Sequence, residues 1–219
     1  DDKSIILAAY LKPFREGKRE KALPAAKLLM GSIVSNGATH LLTGENQTAL
    51  TQGYYSDYTK FSDSEAEAIR RYYDYMIRYE NLFFDPELQD VTMTHTGWDN
   101  YEYQCTSHKV SSYGEAGKIW MILREKDYRK CIYLLNLCGQ SEDYWNEGKE
   151  EPNIQKDIKF TVQVDTPVEK ICFSTPDGEN MDAIELSFTE RATKTGKFID
   201  FTVPSLNYWT TIWIDTKEE

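Results

Sequence analysis

The sequence predicts an α+β chain in two parts. Residues 1–87 alternate strand and helix, and residues 88–219 form an antiparallel β-sandwich of Greek-key or jelly-roll type. In the first part, continuous apolar runs are separated by a stretch whose apolar residues recur at helical spacing. In the second, the chain breaks into short alternating runs divided by Asp, Gly, Pro and Asn. No repeat or low-complexity linker separates the parts, so they are expected to pack together.

The first element is Ile5-Ile6-Leu7-Ala8-Ala9, in "DDKSIILAAYL". An uninterrupted apolar run of this kind reads as a strand buried on both faces, as in parallel sheets. A buried strand needs neighbours on both sides. The chain therefore reads as the later part of something larger.

Pro13, Gly17 and the charged residues 15–21 read as a loop. In "ALPAAKLLMGSIVSNG", Leu23, Ala26, Leu29, Met30 and Ile33 predict a helix, with Pro24 in its first turn and Gly37 closing it. "ATHLLTGE" is the second strand, reached through a helix as a parallel crossover requires.

The next helix opens on a capping-box pattern, Ser62 and Glu65. Ala66, Ile69, Tyr73 and Met76 then line one face. Glu67 with Arg71, and Asp74 with Arg78, predict i,i+4 pairs outside, and Asp85-Pro86 stops the helix. These are two strand–helix units, which would be the last quarter of an eight-fold barrel if the architecture is a barrel.

Eight predicted strands follow: "VTMTHT", "KIWMILRE", "RKCIYLLNL", "IKFTVQVD", "KICFS", "AIELSFT", "KFIDFTV" and "TTIWID". No helix is expected among them.

Composition narrows the partners. The formal net charge of −11 repels polyanions, so nucleic acid is excluded as a natural partner, whereas a neutral polymer is indifferent to the field. No apolar run is long enough to insert in a membrane, and no signal peptide is visible. The 15 Tyr and 5 Trp offer rings with an apolar face and a polar edge, suited to sugar, to protein surfaces or to a core. Cys105, Cys131, Cys138 and Cys172 form no C-x-x-C pair, which argues against a zinc ribbon or redox motif. Buried free thiols, or at most one long-range bridge, are expected.

Barrel chemistry sits at the C-terminal ends of the strands. Those ends are Tyr10-Leu11-Lys12 and Thr43-Gly44-Glu45-Asn46, the latter followed by Tyr54, Tyr55, Asp57 and Tyr58. Glu45 is placed to meet a ligand, or equally to bond amides of its own loop. Glycoside hydrolysis needs two carboxyl groups about 5 Å apart for retention and farther for inversion, and Glu45 has no partner at a strand end. His40 either bonds a substrate hydroxyl or is a satisfied structural histidine. No nucleophile elbow, phosphate loop or dinucleotide fingerprint occurs, and His95 and His108 are too isolated to imply a metal. No cofactor is expected.

"LLMGSIVSNGATHLLTGEN", "IRRYYDYMIRYENLFF", "WNEGK" and "TVPSLNYW", in this order, resemble glycoside hydrolase family 66. That family comprises endo-dextranases and cycloisomaltooligosaccharide glucanotransferases. The resemblance implies a (β/α)8 barrel followed by a β-sandwich, acting on α-1,6-glucan with retention. Residues 5–10 would be the seventh strand and 39–45 the eighth.

The family's aspartate nucleophile and glutamate acid/base lie on earlier strands, so no catalytic residue is expected here and the upstream barrel is an expected partner. Glu45 then binds substrate or organises its loop. Tyr10, His40, Glu45, Asn46, Tyr54 and Tyr55 are the implied glucan-facing residues. The glucanotransferases carry a long carbohydrate-binding insert after the seventh strand, where this chain has only "KPFREGKREKALP". That favours an endo-dextranase, secreted or at the cell surface. The competing expectation is a non-catalytic carbohydrate-binding or interaction module. Trp145, Tyr208 and Trp209 suit a core or interdomain role better than sugar binding.

Overall fold

The computed structural model describes residues 4–15, 17–52, 58–97 and 99–217. It begins with a parallel pair, β1 (Ile5–Leu7) and β2 (Ala38–His40), in which Ile5 lies opposite Ala38 and Leu7 opposite His40. Between them runs α1 (Arg19–Ser35).

The helix starts earlier than its apolar period suggests, so Pro24 lies inside it and not in its first turn. The reason is an anchor invisible in the spacing. Arg19 donates to the carbonyls of Phe14 and Lys60 and pairs with the Glu65 carboxylate. Gly37 ends the helix at φ 83°, a conformation glycine adopts freely.

The predicted second strand is also shorter than expected. β2 stops at His40, and the chain turns into an antiparallel sheet of β3 (Thr43–Gly44), β4 (Thr48–Leu50) and β5 (Tyr58–Lys60). Residues 39–45 are therefore not one barrel-type strand. The backbone is drawn away because Leu42 N–H donates to the Tyr73 hydroxyl at 3.2 Å, and Leu42 C=O accepts from Leu50 at 2.8 Å. β1 is likewise not buried on both faces here: Ile6 is 65% exposed.

α2 (Asp63–Arg78) has both halves of its capping box, with the Ser62 hydroxyl accepting from Glu65 N–H and Ser62 N–H donating to the Glu65 carboxylate. The expected i,i+4 pairs do not form. Arg71 donates to the carbonyls of Pro176 and Gly178, and Arg78 pairs with Asp182. After α3 (Glu80–Phe83) the chain leaves the helical part.

The β-rich part contains β6 (Gln89–Asp90) and one turn of helix, α4 (Thr92–His95), where a strand was expected. Asp90 accepts from Thr92 N–H, and the Thr92 hydroxyl meets both backbone groups of Leu123, so side chains replace a ladder. There follow β7 (Tyr103–Cys105), β8 (Val110–Ser111), β9 (Ile119–Lys126), β10 (Arg129–Asn136) and β11 (Gln155–Val164). Then come β12 (Val168–Ser174), β13 (Ile184–Leu186), β14 (Phe188–Thr193), β15 (Gly196–Leu206) and β16 (Trp209–Thr216).

One sheet has the order β13-β12-β16-β10-β9-β6, with β8 parallel to β9; the other runs β14-β15-β11-β7. Ile132, Leu134, Ile212 and Ile214 of the first sheet share an apolar core with Ile158, Phe160, Ile199 and Phe201 of the second.

The alternate residues of β10 and β16 point the other way. Cys131, Tyr133, Leu135, Trp209 and Trp213 pack with Ala26 and Met30 of α1 and Tyr72, Tyr75 and Met76 of α2. The first sheet is thus buried on both faces, a middle layer between helices and sheet. Trp209 is fully buried, its ring centroid 5.0 Å from Tyr75 and 5.2 Å from Phe83. Gly31 allows this approach, since a Cβ there would lie 2.7 Å from Leu135 Cδ2 and 3.1 Å from the indole.

Asp177 joins the layers. Its Oδ1 accepts from the Tyr72 hydroxyl at 2.7 Å, and its Oδ2 from the amides of Tyr208 and Trp209 at 3.0 Å each. All four cysteines are free, and burial pushes the Cys131 thiol up to about 12.

Candidate functional site

Because β1 and β2 are parallel, their exits lie at the same end. Residues 8–12 leave from one, and residues 41–52 from the other. Leu41 N–H donates to Leu7 C=O at 2.8 Å, and Leu11 N–H to Leu50 C=O at 3.3 Å, so the two exits are stitched together.

His40 completes the stitching. Its imidazole is fully buried, with Nε2 2.9 Å from Ala9 C=O. That contact makes Nε2 the donor, and Nδ1 then has no partner among the described residues. Burial holds the His40 pKa below the ordinary imidazole value, partly offset by the bond to Ala9. The ring is therefore neutral and spans two backbone segments.

Tyr10, the residue after Ala9 in the β1 exit, is half-buried. Glu45 and Asn46 are exposed at the β3–β4 turn, where Asn46 and Gln47 both take φ 57°. The Thr48 hydroxyl closes this turn on Glu45 C=O at 2.6 Å. Among the described residues, the Glu45 carboxylate bonds no amide of its loop, so it is the carbonyl of Glu45, not its acid, that organises the turn. Tyr54, Tyr55 and Asp57 lie outside the described residues.

One residue that spacing alone does not mark is Tyr73. Its hydroxyl donates to His40 C=O at 2.7 Å while accepting from Leu42 N–H, fixing where the chain leaves β2. In the sequence it is one more member of an amphipathic face. Beside it, Thr43, Gly44, Gln47, Phe61, Asp63, Glu67 and Arg70 line a cleft of about 530 Å³ between the β3–β4 turn and α2.

Glu45 is the sole carboxylate in segments 8–12 and 41–52, and a glycosidase needs two. In the β-rich part, Tyr208 and Trp209 are buried, whereas Trp145 is 54% exposed, contrary to the core or interdomain role expected for it.

Among known proteins, the family model described as "Glycosyl hydrolase family 66" matches residues 1–213. Two proteins of Niallia circulans, each described as a cycloisomaltooligosaccharide glucanotransferase, are similar to the chain. They are 28% identical over 193 residues and 26% over 191, covering 87% and 86% of this chain and 19% of each relative. A Paenibacillus sp. cycloisomaltooligosaccharide glucanotransferase, solved in complex with cycloisomaltoheptaose, matches with a TM-score of 0.76 at 23% identity. The match covers 86% of this chain and 27% of that one, and shows a shared fold. The chain thus spans about a fifth of the length of the curated relatives.

Proposed function

The chain belongs to glycosyl hydrolase family 66, and from that premise we propose that it is the C-terminal portion of a retaining endo-dextranase. In this reading β1 and β2 are the seventh and eighth strands of a (β/α)8 barrel, residues 88–219 are the β-sandwich that follows, and the catalytic Asp/Glu pair lies upstream. The substrate is α-1,6-glucan, and a polymer of that size implies a secreted or cell-surface enzyme.

The exits of β1 and β2 form part of the glucan-facing rim. Tyr10 supplies a ring face, and Glu45 and Asn46 bond hydroxyls; Tyr54 and Tyr55, outside the described residues, are sugar-binding candidates by the family resemblance alone. His40 and Tyr73 set the spacing of the two arms. The apolar β1, among the described residues paired with β2 alone and largely exposed, supports completion of the sheet by further strands.

The observation that carries hydrolysis over cyclisation is the connection from β1 to α1. It is residues 8–18, with one short 3-10 turn at Lys12–Phe14, where the glucanotransferases of the family hold a carbohydrate-binding insert. The curated relatives are themselves glucanotransferases, so product analysis is the deciding test.

This chain alone, and the protein carrying the upstream barrel, are incubated with dextran and the products weighed. The chain alone should release no reducing ends, and the longer protein should release linear oligosaccharides. Predominantly cyclic products, each lighter by one water, would make it a glucanotransferase. Release by this chain at the correct single mass would put the catalytic pair inside it, with Glu45 and Asp57 the first to mutate.

A further inference from the structure

The loop between β10 and β11 holds two aromatic rings in water on a rigid frame. Tyr144 is 67% and Trp145 54% exposed. Single exposed rings are ordinary and need no explanation. Here the rings sit on a loop that other residues hold in place.

At its centre is Lys149, buried with its ammonium 2.7 Å from a Glu142 carboxylate oxygen, 2.6 Å from Tyr144 C=O and 3.2 Å from Glu147 C=O. Gln140 and Glu150 exchange a reciprocal pair of hydrogen bonds at the loop base. Lys149 N–H donates to Lys21 C=O at 3.1 Å, and Glu147 and Glu150 pair with Lys12 and Lys21. None of these bonds uses a Tyr144 or Trp145 ring. The frame fixes the rings, and the rings contribute little to the frame.

Beside Trp145 lies a cleft of about 80 Å³, walled by Leu28, Leu29 and Ser32 of α1 and by Gly114 and Trp120. Gly114 lies close over the Trp120 ring: a Cβ there would sit 3.5 Å from the six-membered ring. Tyr113, next to Gly114, is also exposed. The exposed Asp143 carboxylate stands on the cleft wall as an acceptor, and the Trp120 indole N–H is buried with no partner among the described residues.

A water's share of liquid volume is about 30 Å³. The cleft therefore admits a hydroxymethyl group or two hydroxyls, not a whole sugar, and the body of the ligand must lie on the rings outside. A pyranose has that division: an apolar C–H face for an aromatic ring, and hydroxyl edges that donate to the Asp143 carboxylate. A neutral ligand also meets no penalty from the chain's net charge of −11.

We propose that Tyr144, Trp145 and the cleft over Trp120 form an accessory carbohydrate site, which stacks a glucosyl unit of an α-1,6-glucan on the β-rich part. The identity of the glucan rests on the function proposed above; the site itself rests on the rings, the frame and the cleft. The frame is also tied to the barrel-side exit, since Glu147 pairs with Lys12, two residues beyond Tyr10. A strand of glucan leaving the rim by that side reaches the platform next.

The test titrates the 219-residue chain with linear isomaltoheptaose, maltoheptaose and cellohexaose, following the five tryptophan indole N–H resonances. Isomaltoheptaose should shift the Trp145 and Trp120 signals and leave Trp209 unmoved. Trp145→Ala should weaken binding about tenfold, with Tyr144→Ala smaller in the same direction and both melting as the parent does. Ile184→Ala, at an exposed residue of β13 across the sheet from β9, should leave this binding unchanged. Affinity undiminished in Trp145→Ala, Trp145 and Trp120 signals unmoved by the sugar in the parent, or no binding of any of the three sugars, overturns the site. Maltoheptaose or cellohexaose bound in place of isomaltoheptaose, and lost in Trp145→Ala, upholds the site and overturns the α-1,6 reading.

Discussion

The Tyr72 hydroxyl of α2 donates to Asp177 Oδ1 at 2.7 Å, across the boundary between the helical layer and the β-rich part. The carboxylate's other oxygen takes the amides that open β16. One acid thus satisfies groups from two parts of the chain, with Lys27 Nζ 3.8 Å away as its counter-charge. Burial first, and the Asp177 charge second, raise the Tyr72 pKa well above the ordinary phenol value, so the phenol remains a donor.

Asp177→Ala should therefore destabilise the chain by about 3 kcal/mol, because two amides and a phenol lose a charged acceptor together. Tyr72→Phe should cost about 1 kcal/mol. Urea midpoints with an unchanged slope check both, and a loss under 1 kcal/mol for Asp177→Ala would show that the layers do not depend on this acid.

Gly31→Ala is a second test of the same seam. Alanine favours a helix by about 1 kcal/mol over glycine in open space. Here its Cβ would sit 2.7 Å from Leu135 Cδ2, against a fully buried indole. We expect overpacking to win, with a net loss of about 1–2 kcal/mol in thermal unfolding.

His40 predicts a pH dependence. Its folded pKa lies below its unfolded value, so the unfolded chain takes up the proton first as pH falls. The contribution of His40 is fully present above the ordinary imidazole value near 6.5. It is lost as pH falls from there through the lower folded value. Urea midpoints between pH 7.5 and pH 5 should decline more steeply for the parent than for His40→Gln. Parallel curves would mean that the ring is not buried as neutral imidazole.

The rim predicts a separation of stability from binding. Glu45→Gln and Asn46→Gly alter exposed side chains of the β3–β4 turn, glycine accepting the φ of 57°, and should change stability by less than about 0.5 kcal/mol. In the protein carrying the upstream barrel, the same substitutions should raise KM for dextran. An unchanged KM would remove both residues from the glucan path.

Much of this fold was legible where local chemistry decides. The Ser62–Glu65 cap, the Gly37 stop and the alternation of β11 and β15 are written in short stretches. Other features depended on partners distant in sequence. Arg71 and Arg78 were read as i,i+4 pairs worth a few tenths of a kcal/mol, and a carbonyl pair and a carboxylate in residues 176–182 outcompete them. β3 and β4 are two and three residues long, too short to show a period. Of the candidate site, the positions of Glu45 and Asn46 at an exit were readable. The burial of His40 and the exposure of Trp145 were not, because each is set by backbone from elsewhere.

The first sheet has a further consequence for how this protein can be divided. Its β10 and β16 strands hold isoleucines toward one core and tryptophans toward another, so neither core closes without them. A cut near residue 87 falls between segments of the chain, yet passes through no seam in its interior. Either piece made alone would expose one whole side of an apolar sheet or the helices meant to cover it. For expression the consequence is practical: the two parts are expected to stay soluble only when made as one chain.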